Sequence, residues 1–255
     1  MSTIKELYAY RQMIFSLVKK DLRGRYKGSV LGFMWTFINP LFQLIVYTIV
    51  FKHILQTPVD KYYLYLFVAL IPWIFFSSAI TTGAASVLAQ KELVKKIYFP
   101  RMVIPISYVT SCFVNMLLSF LVVFAVIIVT GTGFNFLALL TLPVIMIVEY
   151  IFALGMSLIT SAVTVYFRDL EHILSIVAMA WMYMTPVVYQ MPPQYEKYFR
   201  LNPMTHIIEC YRTVLYNKQI PDLSTLLLAA GLGVFFLIFG TMVFNKLQRH
   251  FAEEL

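Results

Sequence analysis

A single carboxylate, Glu149, lies in an apolar part of the chain that contains no Lys, Arg or Asp. A charged group inside a membrane is costly, so an intramembrane carboxylate is a functional candidate by default. Without such neighbours, Glu149 is poorly placed to pass protons along a relay. We therefore predict that it makes a polar contact between helices or subunits. The alternative is a proton-coupled carrier that uses Glu149.

Sequence signals for catalysis or metal binding are absent. The chain has no G-x-x-x-x-G-K-[ST] phosphate loop and no H-E-x-x-H metal motif. We therefore expect no enzyme and no bound cofactor or metal, and any ATPase that drives the protein must be a separate chain. A membrane-embedded glycosyl or acyl transferase is a further alternative, but none of the histidines has a partner at motif spacing: His53, His172, His206 and His250. Cys112 and Cys210 are expected to be packing residues.

The composition indicates a membrane protein. Of the 255 residues, 60% are hydrophobic and 13% are charged, which leaves too little polar surface to cover a soluble domain. One crossing needs roughly 20 mainly apolar residues, and the longest uncharged window is broken by a Gly-Thr-Gly turn into parts of two spans. We predict an all-α integral membrane protein, a single domain over 1–255, with six spans at 30–53, 62–88, 102–130, 136–166, 173–189 and 224–245.

The distribution of Lys and Arg predicts the orientation of these spans. If the N-terminus is inside, the inner segments carry fourteen of the 20 cations and the outer segments carry six. Because cytoplasmic loops are enriched in Lys and Arg, both termini are predicted to lie in the cytoplasm. The net charge of +8 follows mainly from this asymmetry and from attraction to anionic lipid headgroups. A nucleic-acid partner is not needed to explain it.

Residues 1–27 are predicted to form an amphipathic helix on the membrane surface. Apolar residues recur on one side at helical spacing, as in interfacial helices, and these are Leu7, Tyr10, Ile14, Leu17, Val18 and Leu22. No cleavable signal is expected, because this segment lacks a continuous apolar core. The helix either only fixes the topology or forms part of a cytoplasmic entrance.

The first span contains Asn39-Pro40 near its middle. Proline removes a backbone donor and can kink the helix, which leaves a carbonyl group that other spans must satisfy. We therefore expect a polar contact to this part of the span.

Two connections between spans have helical character. The inner segment 90–99 is short and charged, so it is either an ordinary positively charged loop or a helix that contacts a soluble partner. The outer connection contains a stretch that begins at Pro203, which is too short to cross a membrane. It either rests at the outer interface or dips back into the bundle, and Glu209 and Arg212 are spaced to form a pair on it.

Four stretches resemble the ABC transporter type-2 permeases that export polysaccharides. They are LVKKDLRGRYKGSVLGFMWTFINPLFQLIVYTIVF, YFRDLEHILSIV, TPVVY and LNPMTHIIECYRTVLY. The resemblance covers nearly the whole chain in the family's order and adds no extra domain. That family includes the exporters of O-antigen, capsule and wall teichoic acid, so the resemblance identifies the family without naming the glycan.

The resemblance implies a homodimer that binds two copies of an ABC ATPase subunit, which carries the ATP and Mg²⁺. It also implies a bacterial cytoplasmic (inner) membrane location and an undecaprenyl-linked polysaccharide that enters reducing end first, with O-antigen favoured over teichoic acid and capsule. By analogy, segment 90–99 is the coupling helix that contacts the ATPase through Gln90, Lys91, Glu92, Leu93, Val94, Lys95 and Lys96. The N-terminal helix lies beside the cytoplasmic gate with Lys19, Lys20, Arg23, Arg25, Tyr26 and Lys27, and residues 193–216 form outer helices that help to close the exit.

Aromatic side chains are candidates for the channel lining. A passage for a sugar chain needs flat apolar faces and hydrogen-bonding groups, which Tyr and Trp combine. The chain has 17 Tyr, 22 Phe and 3 Trp, enough for a lining as well as for belts at the membrane interfaces. On the first and fifth spans, the candidates are Trp35, Phe42, Tyr47, Trp181 and Tyr183.

Overall fold

The prediction of an all-α membrane protein is confirmed. A computed structural model describes residues 3–54 and 56–254, and within these ranges the chain forms helices and turns without a strand. Five helical segments in this part are long and apolar enough to cross a membrane: Gly32–Ile54, Tyr62–Ile80, Val103–Val129, Phe136–Tyr166 and Leu223–His250. A sixth apolar helix, Leu170–Met184, has 15 residues.

The helices are numbered in chain order. They are α1 Thr3–Ala9, α2 Arg11–Tyr26, α3 Trp35–Thr48, α4 Tyr62–Ile80, α5 Ser86–Ala89, α6 Lys91–Lys96, α7 Val103–Val129, α8 Phe136–Leu139, α9 Leu142–Tyr166, α10 Leu170–Met184, α11 Glu196–Phe199, α12 Pro203–Leu215, α13 Leu223–Leu247 and α14 Phe251–Glu254. A 3₁₀ turn, Gly32–Met34, precedes α3, and a π-helical turn, Ile49–Ile54, follows it.

The N-terminal segment is two helices instead of one, because the chain breaks at Tyr10. The apolar side of α1 and α2 packs next to α7 against a second cluster of buried residues, which includes Val94, Val103 and Phe244 and is called the lower core. Between α2 and α3 the chain turns through Gly28 and Gly32, whose φ angles are +85° and +47°. Only glycine adopts such angles readily, which explains why the charged helix can meet the first span so abruptly.

Pro40 lies inside α3, and the expected compensation by another span is present. The carbonyl of Thr36, four residues before Pro40, accepts a hydrogen bond of 3.3 Å from the Ser119 hydroxyl of α7. This is the carbonyl whose helical donor proline removes. Neighbouring polar side chains commonly satisfy such groups in membrane helices, so α3 and α7 are linked at this point.

The helix α4 lies at the centre of the bundle. It is apolar on all sides and buried along nearly its whole length, as expected for a helix surrounded by others. It contacts α3, α7, α9 and α12. The most extensive helix pair is α9 with α13, and the backbones approach closely at Gly155 and Gly240. Small residues permit such close packing in membranes.

The helix α10 differs from the predicted fifth span, 173–189. It begins at Leu170 and ends at Met184, and the backbone of Thr185 is extended. The following residue, Pro186, explains this end, because proline disfavours helical backbone angles in the residue before it. Residues 185–188 leave the helix but remain buried.

Candidate functional site

The short helix α6 presents charged side chains on an anchored backbone. Val94 is buried in the lower core, whereas Lys91, Glu92, Lys95 and Lys96 are exposed. Lys96 and Glu92 form an ion pair of 3.1 Å, which is exposed and therefore contributes little stability. The next residues, Ile97 and Tyr98, are exposed apolar side chains, with Tyr98 92% exposed. A mixed charged and apolar surface of this kind suits contact with another protein.

The segment Gln90–Phe99 is tied to the N-terminal helices. Lys20 Nζ donates a hydrogen bond of 3.3 Å to Gln90 Oε1, which joins α2 to the start of α6. The side chain of Leu93 is partly buried and packs, like Leu7 of α1, against the lower core. A displacement of α6 would therefore act directly on the N-terminal helices α1 and α2.

Among the gate candidates, Arg25 and Lys20 make contacts across elements. Arg25 Nε pairs with Asp21 at 2.9 Å, and its Nη2 donates to the Cys112 sulfur of α7 at 3.1 Å. The Ser111 hydroxyl also donates to the Asp21 carboxylate, so Cys112 belongs to a polar cluster instead of only filling space. The side chains of Lys19, Arg23 and Lys27 are exposed. The side chain of Tyr26 lies outside the described residues.

The aromatic lining candidates fall in different environments. Trp35 borders a cavity between α3, α4 and α7, and its indole N–H donates to Ser29 Oγ at 3.0 Å. Phe42 and Tyr183 are more than half exposed. Tyr47 packs beside the central core near Phe51.

Trp181 connects α10 to the outer helices. Its indole N–H donates to Asn202 Oδ1 at 3.0 Å, and its ring packs edge-on against Phe76 of α4. The Asn202 amide also donates to Thr185 Oγ1 at 2.8 Å and accepts from the Met204 backbone N–H, which caps α12. Asn202 thus joins the end of α10 to the start of α12. No spacing pattern in the sequence singled it out.

The helix α12 dips into the bundle. Most of its residues are buried, and it packs against α4, α9 and α13. The predicted pair between Glu209 and Arg212 is wrong, because Glu209 lies 3.7 Å from Arg200 and Arg212 points elsewhere. A hydrogen bond with Glu196, together with the nearby Glu209, raises the pKa of the Arg200 guanidinium, so Arg200 stays charged at this exposed position.

Arg212 supports the non-helical segment that follows α10. Arg212 is 7% exposed, and its guanidinium donates to the backbone carbonyls of Pro186 and Val187, the latter at 2.6 Å. It also lies 3.7 Å from the centre of the Tyr65 ring of α4, within the range of a cation–π contact. The hydroxyls of Tyr62 and Tyr65 donate to the next carbonyls, those of Val188 and Tyr189. The sequence placed Arg212 in an outer loop and gave no sign of this role.

Glu149 makes the predicted polar contact between helices. It is fully buried near the middle of the span Phe136–Tyr166, and its Oε2 accepts a hydrogen bond of 2.6 Å from the Tyr211 hydroxyl of α12. Its Oε1 has no hydrogen-bond partner among the described residues. The Tyr211 ring stacks on Phe120 of α7, so the pair connects three helices.

We expect Tyr211→Phe to destabilise the protein and Glu149→Gln to be tolerated. The phenylalanine variant removes the donor to a buried carboxyl, at a cost of about 1–3 kcal/mol. Glutamine keeps an acceptor for Tyr211 and cannot carry a charge inside the membrane. Thermal unfolding in detergent measures the first effect and a transport assay the second. Loss of transport in a stably folded Glu149→Gln protein would instead support the proton-coupled alternative.

The chain matches the family model described as ABC-2 type transporter over residues 12–216. This region includes α2, the spans from α3 to α10 and the outer helix α12. Because the match covers more than half of the chain, the protein belongs to the ABC-2 type transporter family. It is a multi-pass membrane permease of that family.

Relatives of similar length share this region and most of the remaining chain. The chain is 32% identical to the O-antigen export system permease protein RfbA of Myxococcus xanthus, over 99% of this chain and 98% of that protein. It is also 32% identical to the O-antigen export system permease protein RfbA of Klebsiella pneumoniae, over 95% of both chains. The polysialic acid transport protein KpsM of Escherichia coli is more distant, at 22% identity over 81% of this chain and 82% of that protein.

Proposed function

We propose that this ABC-2 type transporter chain is the permease subunit of an ATP-driven exporter of a lipid-linked polysaccharide, with O-antigen as the preferred cargo. The observation that carries the proposal is the near full-length similarity, at 32% identity, to permeases named for O-antigen export. The proposed carrier lipid is undecaprenyl diphosphate. Capsule polysaccharide is the second candidate, supported by the more distant relatives, and teichoic acid is a third of the same class.

Two copies of a separate ABC ATPase bind the permease and carry the ATP and Mg²⁺. Their docking surface is α6 and the residues beside it, because the exposed charges of Lys95 and Lys96 stand on a backbone that Val94 anchors in the core. Since ATP is cytoplasmic, α6 and both chain termini lie on the cytoplasmic side of the bacterial inner membrane. The excess of Lys and Arg in the same segments supports this orientation.

The permease works as a homodimer with the path for the polymer between its first and fifth spans. Both spans expose apolar side chains on the outside of this single chain, including Phe42 and Ile45 of α3 and Ile176 and Tyr183 of α10. Such faces are available for a second copy as well as for lipid. Closure of the ATPases on ATP displaces α6, and the Lys20–Gln90 contact transmits that displacement to α2.

Reversal of both charges in Lys95→Glu/Lys96→Glu tests this function. We expect the variant to reach the membrane, to lose most of its co-purification with the ATPase, and to lose export, because the two charges meet the partner surface directly. Export is measured as surface glycan in cells that lack their own O-antigen permease and contain this chain with its ATPase. Lys61→Glu/Lys197→Glu is the matched control, since these exposed lysines lie on the predicted outer side.

Normal ATPase binding and export by Lys95→Glu/Lys96→Glu would refute the docking role of α6. If only Lys61→Glu/Lys197→Glu loses ATPase binding, the end of the molecule that carries Lys61 and Lys197 lies in the cytoplasm. If the wild-type pair exports a capsule polysaccharide but no O-antigen, the cargo assignment changes while the permease function stands.

A further inference from the structure

A polar cavity of about 490 Å³ lies within one chain, between α3, α4 and α7. It extends from Arg25 and Ser29, at the N-terminal end of the first span, to Ser119 in the middle of α7. It is thus distinct from the outer faces of α3 and α10 that we propose for the dimer. Its volume falls within the range typical of sites for small ligands, about 300–1,000 Å³.

Two amide side chains of α3 line this cavity. Asn39 and Gln43 lie one helical turn apart and are exposed, and within residues 3–54 and 56–254 neither amide makes a hydrogen bond. Asn115 and Ser119 of α7 line the cavity at the same spacing. Polar groups at this depth of a span are unfavourable in contact with lipid tails. The amides therefore require an occupant that can form hydrogen bonds.

The charge of the cavity favours a neutral occupant. Arg25 is the charged residue among the described lining residues, and its guanidinium is already paired with Asp21 and bonded to Cys112. A phosphate group would need an unpaired cation or several N–H donors in one place. The amides of Asn39 and Gln43 can both donate to and accept from hydroxyl groups, which are abundant on sugars.

Aromatic rings complete the match to a sugar. Trp35 of α3 and Phe75 of α4 both line the cavity. The Trp35 ring is held in place by its hydrogen bond to Ser29 Oγ. A pyranose ring carries C–H groups on its faces and hydroxyls at its edges. A flat apolar ring can therefore stack on the face of the sugar while the neighbouring amides form hydrogen bonds with its hydroxyls.

We infer that this cavity binds the sugar next to the lipid carrier, inside each protomer and before the polymer enters the path between protomers. The inference rests on the proposed function and deepens it, because it assigns the first sugar contact to the amides of Asn39 and Gln43. The diphosphate of the carrier stays outside the cavity, near the cationic end of α2. The lipid tail lies along the exposed apolar side of α3.

Binding to the full chain in lipid nanodiscs tests the inference. The probes are a polyprenyl diphosphate that carries one hexose and the same lipid without the sugar, and the signal is the intrinsic tryptophan fluorescence. We expect saturable binding of the sugar-bearing lipid, a response that Trp35→Phe removes, and weak binding of the bare lipid. Asn39→Leu/Gln43→Leu should bind roughly ten- to a hundredfold more weakly, because two hydrogen bonds are lost.

The Asn39→Leu/Gln43→Leu variant should still fold, because it replaces polar side chains by apolar ones within a span. Leu227→Ile/Leu228→Ile on α13 is the control, since both positions are exposed and neither lines the cavity nor lies on α3 or α10. Equal binding of the two lipids, or unchanged binding in Asn39→Leu/Gln43→Leu, would overturn the inference. So would normal export by that variant, whereas a wild-type complex that exports no glycan would contradict the proposed function instead.

Discussion

Replacement of Arg212 by leucine is expected to release the non-helical segment that follows α10. The guanidinium donates to the carbonyls of Pro186 and Val187, and both residues are buried. Each buried carbonyl left without a donor costs about 1–3 kcal/mol, and the contact with the Tyr65 ring is lost as well. We expect the midpoint of thermal unfolding in detergent to fall by roughly 5–20 °C, since the two carbonyls together cost about 2–6 kcal/mol and 1 kcal/mol corresponds to about 2–4 °C in proteins near this size.

Two further variants make the Arg212 prediction specific. Arg200→Leu removes an exposed arginine from the same outer region, and exposed ion pairs contribute little, so its midpoint should stay near that of the wild type. Arg212→Lys should remain destabilised, because an ammonium group lacks the planar fork that reaches two carbonyls together. Equal midpoints for Arg200→Leu and Arg212→Leu would contradict the structural role of Arg212.

The same interaction explains a limit of prediction from sequence. The apolar run 172–195 contains no charge, so it predicted a span that continues to residue 189. The helix ends at Met184 because Thr185 precedes proline, and the released carbonyls are satisfied by Arg212 and by the tyrosines of α4. Sequence periodicity reports local structure only, whereas this termination depends on partners that are 25 or more positions distant.

Features with a local cause were predictable. Uncharged windows located the helices that cross the membrane, and Pro40 predicted a carbonyl that another span must satisfy, as the Ser119 contact shows. Glu149 was expected to contact another helix, but its donor could not be named. Tyr211 is one tyrosine among 17, and only the dip of α12 into the bundle brings its hydroxyl to the carboxylate.

The two ends of the bundle, which the predicted orientation places outside the cell (α12) and inside it (α6), are held together differently. At the outer end, Asn202, Arg212 and Tyr211 fix α12 to α10 and α9 through buried hydrogen bonds. At the inner end, α6 is held by the buried Val94, by the partly buried Leu93 and by a hydrogen bond from Lys20 to Gln90. Buried polar networks are rigid when satisfied. If α6 is the coupling helix, as proposed, movement imposed there would begin at its own end of the bundle while the hydrogen bonds around α12 still hold the other end together.

The contact between α9 and α13 gives the other large expected effect. A side chain at position 240 would place its Cβ atom 2.2 Å from the carbonyl oxygen of Gly155, and a side chain at position 155 would meet the backbone of Phe236 at 2.5 Å. Backbone atoms cannot turn away as a flexible side chain can, so the helices must separate. We expect Gly240→Leu to abolish accumulation of monodisperse protein, and even Gly240→Ala to lower the unfolding midpoint.

Gly231 provides the matched control on the same helix, because a Cβ atom there meets nothing within 4 Å. Alanine is favoured over glycine in a helix interior by about 1 kcal/mol, so Gly231→Ala should raise the unfolding midpoint slightly. Gly240→Ala gains the same helix propensity, but it loses more stability than it gains because the added Cβ atom overlaps the backbone of Gly155. The two alanine variants should therefore shift the midpoint in opposite directions, and a shift of the same sign would show that α9 and α13 are not packed backbone to backbone.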